Sequence, residues 1–453
     1  MEDKIKQVAE APSLALHQTI DTSQKLAGQI GKEKHIKGAR NYWHMLGPGL
    51  TTGAADDDPS GIATYSQTGS QYGFQLLWLS AFTFPLMAIV QEMCARIGLV
   101  TGRGLAGNIR LHYPKKILYL SAFLLFLANT LNIGADLGAM AKAVQLLLPH
   151  LSFTFLIIAF ALVSLYLQIF IAYARYAKYL KWLALVLLAY IFSAFSLHLD
   201  WGMLARHAVI PSLTLSKGQI FLVCAILGTT ISPYLFFWQT AQEVEEMIMR
   251  GKTSLLLREG TTKKEVKKMR TDVWSGMFLS NLVMFFIIAT TAATLFSHGI
   301  TNIVTSEQAA RALRPIAGEN AYLLFALGII GTGLLAIPVL AGSASYAISE
   351  SLKWPHGLYR KLKAAPSFYG MIIISTLIGL GMNFLGIDPI KALIYSAVAN
   401  GLIAPVVLVL IVKLSSNKKI MGDWANGPLR EALGWYVVIL MSVVGLAAIY
   451  SIF

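Results

Sequence analysis

Charge is scarce in this 453-residue chain. Asp, Glu, Lys and Arg make up 13% of it, about half of the roughly 25% usual in soluble domains. With 56% hydrophobic residues and a mean hydropathy of +0.60, this shortage excludes a large soluble enzyme and points to a chain that crosses a membrane repeatedly. Cysteine is scarcer still. Cys94 and Cys224 both sit in apolar runs, which excludes a disulfide scaffold and reads as two buried thiols. Acids are outnumbered by bases, giving a net charge of +14. In a membrane protein this excess marks the cytoplasmic side rather than a nucleic-acid partner. Residues 1–44 contain no apolar core of the length a secretory signal needs, so none is expected there. The nine histidines show no HExxH or other ligand spacing.

Long hydrophobic runs are what the chain does have. Segments of about 20 apolar residues suffice to span a bilayer. The sequence predicts eleven: 46–69, 74–98, 117–141, 151–174, 179–198, 219–248, 273–297, 321–350, 367–386, 389–413 and 432–452. The fold class expected is an all-α polytopic membrane protein. Charge placement supports the first and weakest of these spans. With eleven spans and a cytoplasmic N-terminal tail over 1–44, 31 of the 37 Lys and Arg residues fall on the cytoplasmic side. Removing the first span scatters that bias, against the positive-inside rule. The C-terminus is then expected outside. The basic stretch 250–270 reads as a solvated cytoplasmic segment beside anionic lipid.

The first span carries its own interruption, Gly53-Ala-Ala-Asp56-Asp57-Asp58-Pro59-Ser60-Gly61. Proline cannot continue a helix and pushes the preceding residue out of helical conformation. The helix must therefore open near Asp58. A carboxylate at membrane depth costs about 2.5–3.5 kcal/mol on insertion scales and usually marks an ion pathway. The sixth span is interrupted likewise, at Gly228-Thr229-Thr230-Ile231-Ser232-Pro233-Tyr234, 174 residues after the first proline. Each break opens a block of five spans, 45–200 and 218–414, the second inverted relative to the first. The eleventh span, 430–453, stands outside the repeat. Paired interrupted helices at matching positions are the best sequence pointer to a transporter's binding site. Carbonyls freed by an unwound turn must face protein, water or an ion, and helix C-termini favour cations. Together with Asp58 they predict an oxygen-lined pocket for a cation. Asp56 and Asp57 are expected near it, in contact with the ion's water shell or turned toward an aqueous cavity.

These residues resemble the Nramp family of divalent-metal transporters, most closely its magnesium-transporting branch. The first-span hallmark of that family is Asp-Pro-Gly-Asn, read here as Asp58-Pro59-Ser60-Gly61. The sixth-span hallmark is a metal-binding alanine carbonyl followed by methionine before Pro-His. It is read here as Thr229, then Ser232-Pro233-Tyr234. The likeness continues through Arg96–Gly102, the Asp136 region and Gly331–Glu350. It implies a LeuT-like fold of 5+5 inverted repeats plus one helix, alternating access, no enzymatic activity, and a location in the plasma (inner) membrane. A monomer is expected, with no nucleic-acid partner.

Two departures carry the chemistry. Ser232 removes the soft thioether, and Gly61 removes the asparagine ligand. Oxygen-only surroundings suit hard cations, and magnesium retains its waters. The metal set implied by the resemblance is Asp58, Gly61, Thr229 and Ser232, with Asp57 beside them. The small residues are expected to leave room for waters. The cargo expected is largely hydrated magnesium, with manganese second, and no resident cofactor. Proton-coupled members use acids in the third span and a histidine at the sixth-span break. Here Asp136 matches the first acid, Ala139 replaces the second and Tyr234 replaces the histidine. Tyrosine, titrating near about 10, relays protons poorly at neutral pH, so weak or absent coupling is expected. The other reading of Asp136 is a hydrogen-bond acceptor between spans.

Other motifs are set aside. Gly102-Arg-Gly-Leu-Ala-Gly107 spells GxGxxG, but no strand precedes it, so no dinucleotide is expected. Glu243, Glu245, Glu246 and Glu350 read as solvated helix ends. Asn400-Gly401 reads as an interruption of the tenth span whose default role is helix packing. Trp43, Trp78, Trp182, Trp201 and Trp435, with His44, His198 and His298, read as interfacial. Competing functions are a proton-coupled manganese or iron transporter of the conventional Nramp type and an amino-acid or amine symporter of the same fold. An intramembrane enzyme lacks a nucleophile–base pair or metal–histidine cluster at membrane depth. A pore would differ by its ohmic current.

Overall fold

The computed structural model describes residues 47–171, 188–197, 199–303, 305–314 and 318–452. The tail over 1–44, Arg175–Lys181 and half of the fifth span lie outside them, as do Trp43, His44, Trp182 and His198. The described residues form helices and connections without a strand. We number the helices α1 Pro48–Asp56, α2 Pro59–Tyr72, α3 Trp78–Thr101, α4 Leu105–His112, α5 Lys115–Leu147, α6 Phe153–Phe170, α7 Leu188–Ser196, α8 Trp201–Val209, α9 Lys217–Thr230, α10 Pro233–Met249, α11 Leu255–Arg258, α12 Lys263–Thr294, α13 Ser306–Ala310, α14 Ala321–Leu352, α15 Pro366–Met382, α16 Pro389–Ser416, α17 Lys418–Met421 and α18 Pro428–Ile452.

Among the described residues, eight stretches are long and apolar enough to cross a membrane, and Pro366–Met382 is a shorter apolar helix. One of the eight, Lys217–Met249, runs through the second interruption and comprises α9 and α10. The first span passes no such test because it is two short helices, of 9 and 14 residues. The tenth span departs from expectation. α16 is continuous through Asn400-Gly401. A Cβ on Gly401 would lie 2.8 Å from the Cys224 carbonyl oxygen, and one on Gly228 would lie 2.5 Å from the Gly401 nitrogen. Glycine is kept there so that α9 and α16 can approach closely. Cys94 and Cys224 are free and buried, as expected.

The broken helices sit at the centre. α1 and α2 both pack on α12, α9 packs on α16 and α18, α10 packs on α3 and α14, and α5 packs on α14, α15 and α16. Three glycines bring α1 unusually close to α12. A Cβ on Gly49 would lie 2.5 Å from the Val273 nitrogen, and Cβ atoms on Gly53 and Gly276 would collide with the Gly276 and Gly49 carbonyl oxygens. Asp272 completes the contact. Its carboxylate accepts from the free N–H groups of Gly49 (2.7 Å) and Leu50 (3.1 Å), where an anion suits the helix N-terminus.

Candidate ion site at the two helix breaks

Both interruptions open where proline dictates. α1 ends at Asp56, and Asp58 takes an extended conformation (φ −69°, ψ 172°) as the N-cap of α2, with Pro59 at the first helical position. α9 ends at Thr230, and Ser232 is extended (φ −83°, ψ 133°) ahead of Pro233. Proline suits that first position because its missing N–H would be unpaired there anyway.

The structure brings the two breaks together. A Cβ on Gly61 would lie 3.2 Å from both the Asp56 carbonyl oxygen and Thr229 Oγ1. Tyr234, one residue past Pro233, donates its hydroxyl to the Ala55 carbonyl at the end of α1 (3.0 Å). The expected room for waters beside Gly61 is therefore not open here: oxygens of α1 and α9 close over it. Gly61 carries no side chain because a larger residue would press on both.

The Asp58 carboxylate and the carbonyls at the end of α9 already accept from donors of the protein, whereas Thr229 Oγ1 and Asp56 Oδ1 are buried without a partner among the described residues. Asp58 Oδ1 accepts from Ser60 Oγ (2.6 Å) and the Gly61 N–H (2.8 Å), and Oδ2 accepts from Asn132 Nδ2 (2.8 Å). Ser232 does not point outward as a free ligand. Its hydroxyl lies 2.6 Å from both the Gly228 and Thr229 carbonyl oxygens and caps the open end of α9. Asp56 and Asp57 turn toward α12 and meet one hydroxyl, that of Ser280, which bonds Asp56 Oδ2 and lies 3.4 Å from Asp57 Oδ1. The three consecutive carboxylates thus split, two toward α12 and one toward α5. Among the described residues no group of three His, Cys, Asp or Glu side chains is arranged to hold a bare metal ion.

Asp136 lies one helical turn beyond Asn132 on α5, fully buried. Neither of its carboxylate oxygens has a hydrogen-bond partner among the described residues. This corrects the reading of Asp136 as an acceptor between spans. Asn400 on α16 is also buried with both amide atoms unpartnered. Ala139, one residue short of a turn beyond Asp136, lines a small apolar cavity with Ile62, Ile329 and Leu393. Its volume of about 20 Å³ is close to the minimum for one water, too small for a hydrated ion.

Sequence reasoning missed Asn132, Ser280 and Ser396. Asn132 Oδ1 accepts from Ser396 Oγ on α16 (2.7 Å), so one amide links Asp58 to the tenth span. The available signal was its spacing, four residues before Asp136 on the same helix face. Glu243, Glu245 and Glu350 are buried, against the reading of them as solvated helix ends, while Glu246 is half-buried and paired with Arg250. Glu245 is buried and accepts from the Tyr346 hydroxyl (2.5 Å) and the N–H groups of Leu358 and Tyr359 (2.8 and 3.1 Å). Glu350 is buried and accepts from the Gly107 N–H (2.7 Å).

Comparison with known proteins agrees with this architecture. The model of the family described as Nramp, natural resistance-associated macrophage protein-like, matches residues 49–451. A divalent metal cation transporter MntH of Klebsiella pneumoniae is 28% identical over 410 residues, covering 88% of this chain and 91% of that protein. The crystal structure of the Eremococcus coleocola manganese transporter, in complex with an aromatic bis-isothiourea compound, superposes with a TM-score of 0.71. Its identity is 18%, with 90% of this chain and 86% of that one covered. Mhp1, a nucleobase-cation-symport-1 family transporter, in a closed conformation, superposes with a TM-score of 0.53 at 12% identity, covering 90% and 91%. The likeness to both establishes a LeuT-like fold.

Proposed function

The chain belongs to the Nramp family, and from that premise we propose that it carries a hydrated divalent cation, magnesium first and manganese second, across the plasma (inner) membrane by alternating access. It acts as a transporter, not an enzyme, and the metal is its cargo. The basic loops face the cytoplasm and the C-terminus lies outside. The repeat units are 45–200 and 218–414.

One observation carries this reading: the oxygens at the breaks are held by O–H and N–H donors. Asp58 accepts from Ser60, Gly61 and Asn132, Ala55 accepts from Tyr234, and the end of α9 accepts from Ser232. A cation that keeps its waters presents a shell of O–H donors, the same chemistry these oxygens already accept. Magnesium dehydrates reluctantly, so exchanging protein donors for its bound waters is the less costly way in. Ser232 supplies no thioether to reward a softer ion that sheds its shell. In this scheme Asp58 is the anionic anchor, with Gly61, Thr229 and Ser232 around the shell and Asp57 and Asp56 in outer contact through the α12 side.

Asp136 is the next stop toward the apolar cavity beside Ala139, a carboxylate with no donor to displace. Tyr234 ties the two breaks together instead of relaying a proton, so coupling to protons is weak or absent. Magnesium and manganese flux into proteoliposomes tests the proposal. Flux is expected in the wild type and lost in Asp58→Ala of equal thermal stability. Strong cadmium or iron transport without magnesium transport overturns it and favours the conventional proton-coupled type.

A further inference from the structure

A cavity of about 440 Å³ lies between the α3–α4 connection, α10, α11 and the segment after α14. That is within the range of small-molecule pockets, roughly 300–1,000 Å³. None of the residues of the two breaks lines it. Glu245 stands twelve residues past Pro233, about 18 Å along the helix axis, so the cavity is remote from the ion site.

Its walls are cationic. Arg103, Arg110, Arg258, Lys353 and Arg360 face only two carboxylates, Glu245 and Glu350. Those two are already committed. Glu245 holds the Tyr346 hydroxyl and two backbone N–H groups, and Glu350 holds the Gly107 N–H, with His356 Nε2 at 3.8 Å. Gly104 is glycine because a Cβ there would collide with the Glu350 carboxylate. The glycine-rich turn Gly102–Gly107 thus receives an anion from its own chain.

Arg110 and Arg258 are engaged with backbone carbonyls, Arg110 with that of Glu350, and the other three cations are less committed. Lys353, in left-handed conformation at the end of α14 (φ 61°), has an ammonium without a partner among the described residues. Arg360 lies over the Tyr359 ring, 5.1 Å from its centroid. Arg103 has only a distant ion pair, 3.8 Å to Glu259. Arg258 donates to the carbonyls of Gly102 and Thr253 (3.2 and 2.9 Å). Such a wall repels a departing divalent cation. Half-buried Trp354 and exposed Tyr359 add flat aromatic surface.

We propose that this cavity binds a multiply charged phosphate compound. Arginines suit phosphate oxygens because their planar fork donates two bonds at once. The ligand bridges the α3–α4 connection, α11 and the segment after α14, and so restrains the relative motion of these parts and slows transport. This site does not depend on the identity of the cargo.

Isothermal titration of the full-length protein tests it, in metal-free buffer with a chelator present. Tripolyphosphate and ATP represent free phosphates. Nanodiscs of neutral lipid, against nanodiscs containing a phosphoinositide, represent the headgroup source. Saturable binding of either free compound is expected, weakened at least tenfold in K353E/R360E and progressively by salt, and retained in Asp58→Ala. Competition by the phosphoinositide discs alone assigns the site to a headgroup. If K353E/R360E does not fold, R360Q and the salt series carry the same comparison. Absence of binding by all three ligands, or affinity unaltered by charge reversal, overturns the proposal. Because Asp58→Ala is expected to keep the site, a failure here leaves the transport reading standing, and the reverse also holds.

Discussion

Asn132 Nδ2 lies 2.8 Å from Asp58 Oδ2, while Asn132 Oδ1 accepts from Ser396 on α16. A single amide on α5 therefore orients the carboxylate at the first break and connects it to the tenth span. Removing it leaves a buried acceptor and a buried hydroxyl without that partner. Hydrogen bonds to charged groups are worth about 1.5–3 kcal/mol. Asn132→Ala is accordingly expected to lower stability by about that amount, while magnesium binding, in which the ion's waters replace this donor, is not weakened. The thermal midpoint and magnesium titration measured side by side check this, and weaker binding at an unaltered midpoint contradicts it.

Ser232 occupies the position at which a thioether would meet the ion, and its hydroxyl instead caps the Gly228 and Thr229 carbonyls. Ser232→Met removes that cap and adds a soft ligand. Preference for cadmium or manganese over magnesium is expected to rise by about tenfold or more, since sulfur selects softer metals. Competition binding with the three metals measures the shift.

Closure of α1 on α12 depends on the absence of side chains at Gly49, Gly53 and Gly276. Gly276→Ala places a methyl against the Gly49 carbonyl. Overpacking of this kind costs about 1–3 kcal/mol, and here it is relieved by moving α1 away. Thr52, buried and bonded to Gln239 at 2.6 Å, reports the movement. A Thr52→Cys probe, in a background without Cys94 and Cys224, is expected to label faster when Gly276→Ala is added.

At the opposite end, Arg311 and the Tyr322 hydroxyl hold the Glu307 carboxyl below the usual carboxylate range. A lowered folded value means the clamp contributes fully above the unfolded value, about 4.3, and is lost as pH falls through the lower folded value. The protection of residues 306–311 against hydrogen exchange, taken relative to the intrinsic rate at each pH, is thus expected to stay constant from about pH 8 to 5 and to fall only in stronger acid. Any change of flux across the neutral range then arises elsewhere.

Both breaks were legible because Pro59 and Pro233 each follow a run of small polar or acidic residues, whereas Pro85, Pro338 and Pro405 lie within continuous helices. The first span was legible through the placement of lysines and arginines around it, although α1 and α2 are individually too short to register as a span. What could not be read was direction. Three adjacent aspartates project at successive angles, so Asp58 meets α5 while Asp56 and Asp57 meet Ser280 on α12, and nothing local names those partners. Ser232 looked like an open ligand, yet a hydroxyl two residues past a helix end turns back on that end. Glu245 and Glu350 looked solvated because charged helix ends usually are. Their partners, Leu358, Tyr359 and Gly107, are more than a hundred residues away in sequence. Asn400-Gly401 looked like a third break, but α16 runs through it and through Pro405, and the glycine serves close packing.

The claim that the ion enters with its waters is tested most directly by a cation whose shell cannot be shed. Cobalt(III) hexaammine presents fixed N–H donors and exchanges none of them on the time scale of transport. The account predicts that it competes with magnesium for the wild-type protein in proteoliposome flux and equilibrium binding, and that Asp58→Asn abolishes the competition. Magnesium flux indifferent to hexaammine, beside strong competition by cadmium, would contradict it.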